Sequence, residues 1–187
     1  KSCTRAISVI HTVKPGRIYQ SRTGNPAYVT VAGQSQGIGR TPARGITKIK
    51  VTGRANGQPD GEAAFLSAVA ANPYDPQYLT VFPCGTKPPN AANVNYIGGD
   101  VAANAVLAKI GDNGKICVYT SAETDLIIDI NGYTPARAGT QSVKPGRIYE
   151  SRTGNPAYVT VDGQSQGNGR TPARGITKIK VTGRANG

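Results

Sequence analysis

Five basic side chains between residues 40 and 54 could bind a polyanion. Lys48 and Lys50 lie two residues apart in the alternating segment ITKIKVT, so they share one face of a predicted strand. Ammonium and guanidinium groups arranged in this way could bind phosphates or an acidic cell-wall polymer. The competing interpretation is a solvated strand face and loop, and the set has no interleaved aromatic residues for stacking on single-stranded nucleic acid. The candidate polyanion-binding residues are Arg40, Arg44, Lys48, Lys50 and Arg54.

Catalysis has little support in the residue pattern. The only histidine, His11, has no counterpart in the repeated part of the chain described below. Asp125 and Asp129 lie four positions apart on one predicted strand, about 13 Å by strand rise, which is too far for a paired acid and base. They would serve instead as a solvated face or as partners for Lys and Arg. We therefore predict that the chain is not an enzyme and has no catalytic residues.

Metal and cofactor sites are not expected either. Asp60, Glu62 and Asp100 lack the spacing of a calcium loop, and no Cys-x-x-Cys motif is present. The segment GQSQGIGR (33–40) resembles a phosphate-binding loop only in its glycines, because it lacks the Gly-Lys-Ser/Thr ending. We expect it to be a surface loop.

The chain has three cysteines, two of which lie in predicted strands. Cys84 ends YLTVFPC and Cys117 lies within KICVYT, so a disulfide between them is expected, the alternative being two buried thiols. Cys3 is then left over, as a free thiol or a link to another chain. This usage favours a secreted protein in an oxidising environment.

A long repeat dominates the chain. Residues 143–187, the second copy, repeat residues 13–57, the first copy, at an offset of 143 − 13 = 130 residues. This offset is the size of a whole domain. We therefore predict an N-terminal extension (1–12), a complete module (13–142) that ends in a linker (134–142), and the first third of a second module (143–187). The copies differ at Gln20/Glu150, Ala32/Asp162 and Ile38/Asn168.

Charge follows the same division. The net charge is +12, yet residues 58–142 hold four basic and eight acidic side chains, while residues 1–57 hold ten basic and no acidic ones. The basic and acidic segments of one module could face each other, and this interpretation is slightly preferred over nucleic-acid binding. No apolar run reaches the ~20 residues that span a bilayer.

Frequent glycine and proline, with Thr, Val, Ile and Tyr between them, indicate an all-β protein. About nine short strands at regular spacing predict an antiparallel β-sandwich or jelly-roll-like module in tandem with a 130-residue period. GDNG (111–114) predicts a hairpin turn that pairs the strands on either side of it. The predicted strands cover residues 17–21, 26–32, 46–52, 62–72, 78–83, 93–97, 101–110, 115–120 and 124–132.

The residues from Val81 to Tyr133 contain FPCG, NVN, CVY and DINGY. This string resembles a tandem β-repeat module of secreted and cell-surface bacterial proteins, which carries a YPCG-like turn, an NxN strand, a CxY strand and a closing D-(V/I)-x-G-Y. The opening R-(I/L)-L-D-T-R of that module matches RIYQSR (17–22) and RIYESR (147–152) more loosely, with the acid present only in the second copy. The resemblance implies an accessory, non-catalytic domain at the cell exterior.

Three strands are too few to bury a core alone. The second copy must therefore begin a further module, be completed by another molecule, or fold back and replace the first copy. We predict an extracellular structural protein whose modules assemble head-to-tail into a fibre or surface array by segment complementation. Its partners would be copies of itself or neighbouring modules of a longer chain, without cofactors and without nucleic acid. The alternative is a cell-envelope binding module for polysaccharide or another polyanion.

Overall fold

The computed structural model describes residues 10–31, 33–54, 61–136 and 142–183. The chain divides into two units, one of Lys1–Pro88 and Ala92–Ser142 and one of Pro89–Ala91 and Val143–Gly187. Cys3, Ala32 and Asp60 lie outside the described residues. Within those residues, no helix has the length and apolar character needed to cross a membrane.

The first unit is all-β, as predicted, with eight strands in two antiparallel sheets. The strands are β1 (His11–Gln20), β2 (Gly45–Lys50), β3 (Gly61–Ala71), β4 (Gln77–Pro83), β5 (Val94–Tyr96), β6 (Val101–Lys109), β7 (Lys115–Thr120) and β8 (Asp125–Pro135). Sheet 1 has the order β1-β8-β3-β6, and sheet 2 has the order β2-β7-β4-β5.

The two sheets pack face to face around one apolar core. Alternation along the strands supplies it, since residues two apart point to the same face. Leu126, Ile128 and Ile130 of β8 are buried on the inner face of sheet 1, as predicted, and Ile49 of β2 is buried on that of sheet 2. The predicted strand at 62–72 is confirmed as β3, and its residues Ala64, Ala68 and Ala70 belong to the core.

The predicted pairing of the strands around GDNG is wrong. Asp112–Gly114 does form a tight 3₁₀ turn, with Asn113 and Gly114 at φ of 55° and 67°. However, β6 pairs with β3 in sheet 1, while β7 lies between β2 and β4 in sheet 2. The turn therefore carries the chain from one sheet to the other, because each flanking strand has an apolar face that must reach the core.

The predicted strand at 26–32 is also wrong, so the structure has one strand fewer than expected. Local bonds hold this segment as a loop. Asn25 Oδ1 accepts a hydrogen bond from Ala27 N at 2.8 Å, and Gln36 Oε1 accepts one from Thr30 N at 2.8 Å. These side chains take backbone donors that a strand would need. Val29 and Val31 are exposed.

The disulfide between Cys84 and Cys117 is confirmed. Its geometry follows from the sheet, because β4 and β7 are neighbours and Phe82 lies opposite Cys117. The Cα atoms of the two cysteines are 5.0 Å apart. Together with Phe82 and Tyr119, the bridge forms a second small apolar cluster.

Two strands extend beyond the predicted boundaries. β1 begins at His11, so the last two residues of the predicted N-terminal extension belong to the sheet. β8 continues to Pro135, so the predicted linker begins two residues inside a strand. Residues 1–9 and 137–141 lie outside the described part of the chain.

The second unit contains no strand among its described residues. Its loops are nevertheless held by the same hydrogen bonds as in the first copy. Val161 N donates to Arg147 O at 2.8 Å, as Val31 N does to Arg17 O. An isolated bridge joins Glu150 to Gln166, the counterpart of the bridge between Gln20 and Gln36.

Candidate assembly site

The first copy supplies one edge strand to each sheet. β1 is the terminal strand of sheet 1 beside β8, and β2 is the terminal strand of sheet 2 beside β7. β1 also contacts β2, so the two strands lie on the same side of the sandwich. We call the surface of β7 and β8 that they cover the closing site. Without the first copy, both sheets would end in unpaired strand edges, which are templates for another strand.

Backbone pairing and burial hold the first copy in the closing site. Along β2, Ile49 lies opposite Ile116 of β7 in an antiparallel register. Ile49 is 1% exposed and Val51 is 3% exposed. Val51 N continues the contact beyond the strand by donating to Gly114 O at 2.9 Å. The closing site therefore buries the apolar face of the first copy as well as pairing its backbone.

Ion pairs join the basic first copy to the acidic remainder of the module, so the two segments face each other as expected. Arg17 Nε lies 3.0 Å from Asp129 Oδ1, across the β1–β8 pair. Arg40 Nε lies 2.9 Å from Glu123 Oε1, and Arg40 Nη1 lies 3.3 Å from Asp125 Oδ2. Both arginines belong to the first copy and all three carboxylates to the remainder.

Arg40 is the most extensively bonded of these residues. Besides its two carboxylate partners, its Nη2 donates to the backbone oxygen of Asn72, and its guanidinium lies 4.2 Å from the centre of the Tyr74 ring. Asp125 is buried, and Ser21 Oγ donates to its other oxygen at 2.9 Å. The Arg40 side chain therefore binds the first copy to the rest of the module.

The second copy presents the same apolar residues to solvent. Ile179, the counterpart of Ile49, is 42% exposed, and Val181, the counterpart of Val51, is 67% exposed. Ile176, Ile179 and Val181 are all exposed, and none lies in a strand. Among the described residues, Arg170, the counterpart of Arg40, makes no ion pair. The described residues of the second copy therefore do not bury these side chains as the first copy does.

The loop part of the second copy is held by side-chain contacts like those of the first copy. Arg152 lies 4.0 Å from the centre of the Tyr158 ring, as Arg22 lies 3.9 Å from that of Tyr28. Glu150 is buried beneath Arg152, whose hydrogen bond lowers the pKa of this carboxyl from 4.5 to about 2. The same contact raises the pKa of Arg152.

The five candidate polyanion-binding residues have different environments. Arg40 faces carboxylates, as described above. Lys48 is exposed on the outer face of β2, and Lys50 Nζ donates to Asn113 O at 2.7 Å. Arg44 is exposed in the turn before β2, and Arg54 is half-buried. Lys50 also lies opposite Lys115, so β2 and β7 present lysines on one outer face.

The other residues considered as sites have structural contacts. His11 stacks on Tyr133 with ring centres 5.2 Å apart. Glu62 Oε1 accepts a hydrogen bond from Ser142 N, and Asp100 Oδ1 accepts one from Val101 N. GQSQGIGR lies in a loop. Over the described ranges, the structure places no group of three or more His, Cys, Asp or Glu where it could hold a metal ion.

Sequence reasoning missed the bonding of Arg40 and the burial of Gln20. Arg40 and its carboxylate partners are 83 and 85 positions apart, so no local sequence pattern predicts these ion pairs. The opposite charges of the two segments indicate that they attract each other, but they do not show which side chains form ion pairs. Comparison with known protein families, with curated proteins and with solved structures found no match to this chain.

Proposed function

We propose that this chain is a building block of an extracellular structural array, in which the second copy of one chain occupies the closing site of another. The observation that supports the proposal is the contrast between two nearly identical segments. The first copy supplies the edge strands on one side of the sandwich, and the second copy carries the same residues unpaired and exposed.

The exposed residues give the association its driving force. Burying apolar surface contributes about 25 cal/mol per Å². Ile179 and Val181 have the shape and spacing of Ile49 and Val51, which the closing site already buries. Backbone pairing along β7 and β8 would add direction and register, as in other cases of strand addition.

Such a contact propagates. It joins the second copy of one chain to the closing site of the next, so the two surfaces are different and the contact is heterologous. Heterologous contacts form chains unless the rotation closes a ring. The first copy of each acceptor chain must leave its site as the second copy of a donor enters. The disulfide supports an oxidising location, and we place the array outside the cell or at its surface.

Cross-linking between two differently labelled chains tests this proposal. Lys50 lies opposite Lys115, and Lys180 is the counterpart of Lys50. In a Cys3→Ser background, one chain carries Lys115→Cys and the other Lys180→Cys, and a short bismaleimide is added after mixing. We expect a covalent dimer with these two chains. A donor with Asn168→Cys, at an exposed loop position, should give none.

Two outcomes would contradict the proposal. One is the absence of dimer with the Lys180→Cys donor while a single chain carrying Lys50→Cys and Lys115→Cys cross-links internally. The other is efficient internal cross-linking in one chain that carries both Lys115→Cys and Lys180→Cys. That product would mean that the second copy folds back into its own module.

A second function has a separate observation in its favour. On the outer face of sheet 2, Lys48 and Lys50 lie on β2 and Lys115 lies on β7, which also carries Tyr119. The ring centre of Tyr119 is 6.1 Å from that of Tyr78 on β4. A sheet face with lysines and tyrosines suits an anionic polysaccharide. Retention on an immobilised acidic glycan that is lost in Lys48→Glu/Lys50→Glu, with dimer formation unchanged, would assign the face to binding.

A further inference from the structure

Position 20, and its counterpart 150, is a buried position at which the two copies differ. This inference rests on the proposed function and concerns which copy the closing site accepts. Gln20 is fully buried and lies opposite Ile127 of β8. Glu150 is buried in the second copy. At the other two differences, Ile38, Asn168 and Asp162 are exposed, and Ala32 lies outside the described residues.

Gln20 is incompletely bonded. Its Oε1 accepts hydrogen bonds from Arg22 N at 3.2 Å and from Arg22 Nε at 2.9 Å. Its Nε2 is shielded from solvent and has no hydrogen-bond partner among the described residues. A buried donor without a partner loses its hydration and gains nothing in return.

Glu150 has both of its carboxylate oxygens bonded within the second copy. Its Oε1 accepts from Arg152 N at 3.0 Å and from Arg152 Nε at 2.8 Å, and its Oε2 accepts from Arg152 Nη2 at 2.7 Å. The second oxygen therefore replaces the unbonded amide nitrogen and takes the outer edge of the guanidinium. Arg147 Nη1 lies 3.3 Å from the same oxygen. Paired charge-assisted bonds of this kind are about twice as strong as neutral ones.

The two positions have the same backbone frame, so the comparison can be transferred from one copy to the other. Gln20 N donates to Ser35 O at 2.9 Å, and Glu150 N donates to Ser165 O at 3.0 Å. Reversing the amide of Gln20 would not help, because the backbone N and Nε of Arg22 both need the oxygen. The unbonded donor of Gln20 therefore results from the chemistry of its amide and not from the orientation of that amide.

The closing site can accept an added carboxylate at this position. The acidic residues of β8 that flank Ile127 are Asp125 and Asp129. Asp125 is paired with Arg40, and Asp129 is paired with Arg17. An incoming second copy carries Arg147 and Arg170 at the corresponding positions, so both charges would again be compensated. Arg152, or Arg22 in a chain with Gln20→Glu, remains available for the new carboxylate.

We propose that the glutamate at position 150 makes the second copy the preferred occupant of a closing site that holds a glutamine-bearing first copy. Assembly then has a direction, because the glutamate-bearing segment of each chain displaces the glutamine-bearing segment of the next. The exchange replaces a half-bonded amide by a fully bonded carboxylate and leaves the remaining contacts almost unchanged.

Reciprocal substitutions in the cross-linking mixture test this inference. Gln20→Glu is placed in the acceptor chain with Lys115→Cys, and Glu150→Gln in the donor chain with Lys180→Cys. Each should lower the dimer yield about tenfold, the first by strengthening the resident segment and the second by weakening the incoming one. Ile38→Asn in the acceptor introduces another residue of the second copy at an exposed position and should leave the yield unchanged. Yields within twofold of the starting pair would overturn the inference.

A second measurement separates this inference from the proposed function. Gln20→Glu in the full chain should raise the urea midpoint of unfolding, because it completes the bonding of Arg22 within the first unit, with or without assembly. An equal or lower midpoint would overturn the inference. If the starting pair gives no dimer and the midpoint nevertheless rises, the proposed function fails while the preference for glutamate at this position stands.

Discussion

The isoleucines at positions 49 and 179 offer a direct test of the structural contrast between the copies. Ile49→Ala removes a side chain that is 1% exposed and lies in the main core. Truncations of this kind cost 2–5 kcal/mol on average, so we expect a loss of about 3 kcal/mol and a fall in melting temperature of roughly 10 °C. Ile179→Ala truncates a side chain that is 42% exposed and should change the free energy of unfolding by less than about 0.5 kcal/mol.

The assay is urea unfolding followed by circular dichroism, at a protein concentration low enough to keep the chain monomeric. The two substitutions change the same residue type within the same sequence, ITKIK, and this makes each the control of the other. Equal destabilisation by both would show that the second copy has a core of its own. A negligible effect of Ile49→Ala would show that β2 does not belong to the core.

Three further predictions concern the first unit and Glu150. Replacing Cys84 and Cys117 by serine should cost about 4 kcal/mol by the chain-entropy relation for a separation of 33 residues, measured by urea unfolding, and an unchanged midpoint would contradict the bridge. Arg40→Ala should cost about 2 kcal/mol in the same assay because it leaves the buried Asp125 without its cation, and Arg40→Lys should recover only part of that loss. The pKa of Glu150 is lowered from 4.5 to about 2, so its stabilising effect is present above pH 4.5 and is lost as the pH falls towards 2. A carboxyl titration by NMR with a midpoint near 4.5 would contradict the contact with Arg152.

Most strands could be predicted from the sequence because alternation is a local property. Leu126, Ile128 and Ile130 alternate along β8, Ile49 and Val51 alternate along ITKIKVT, and the structure buries all five. The disulfide followed in the same way, since both cysteines lay at predicted strands. Where one face of a strand is fixed by packing, the sequence carries the pattern directly.

The errors arose where non-local packing or side-chain bonding decided the outcome. The turn at GDNG was predicted correctly because its sequence determines it locally. However, β6 and β7 pack on opposite sides of the core and therefore join different sheets. The segment 26–32 has the composition of a strand, yet the side chains of Asn25 and Gln36 bond to its backbone and hold a loop.

The candidate site was predictable in outline only. The duplication and the charge blocks indicated that the basic third of the module faces the acidic remainder. They did not show that the first copy closes both sheets on one side, because strand order is a property of the folded chain. Nor did they show that the glutamine and glutamate at positions 20 and 150 are buried, since polar residues of these types are mostly exposed.

The mass of the chain in solution is the most direct test of assembly by segment complementation. Light scattering during size-exclusion chromatography would compare the full 19.4 kDa chain with a chain that ends at Ser142, both after partial unfolding in urea and return to buffer. We expect the full chain to form multiples of 19.4 kDa that grow with concentration, and the shortened chain to remain a monomer. A full chain that stays monomeric at every concentration would contradict the account.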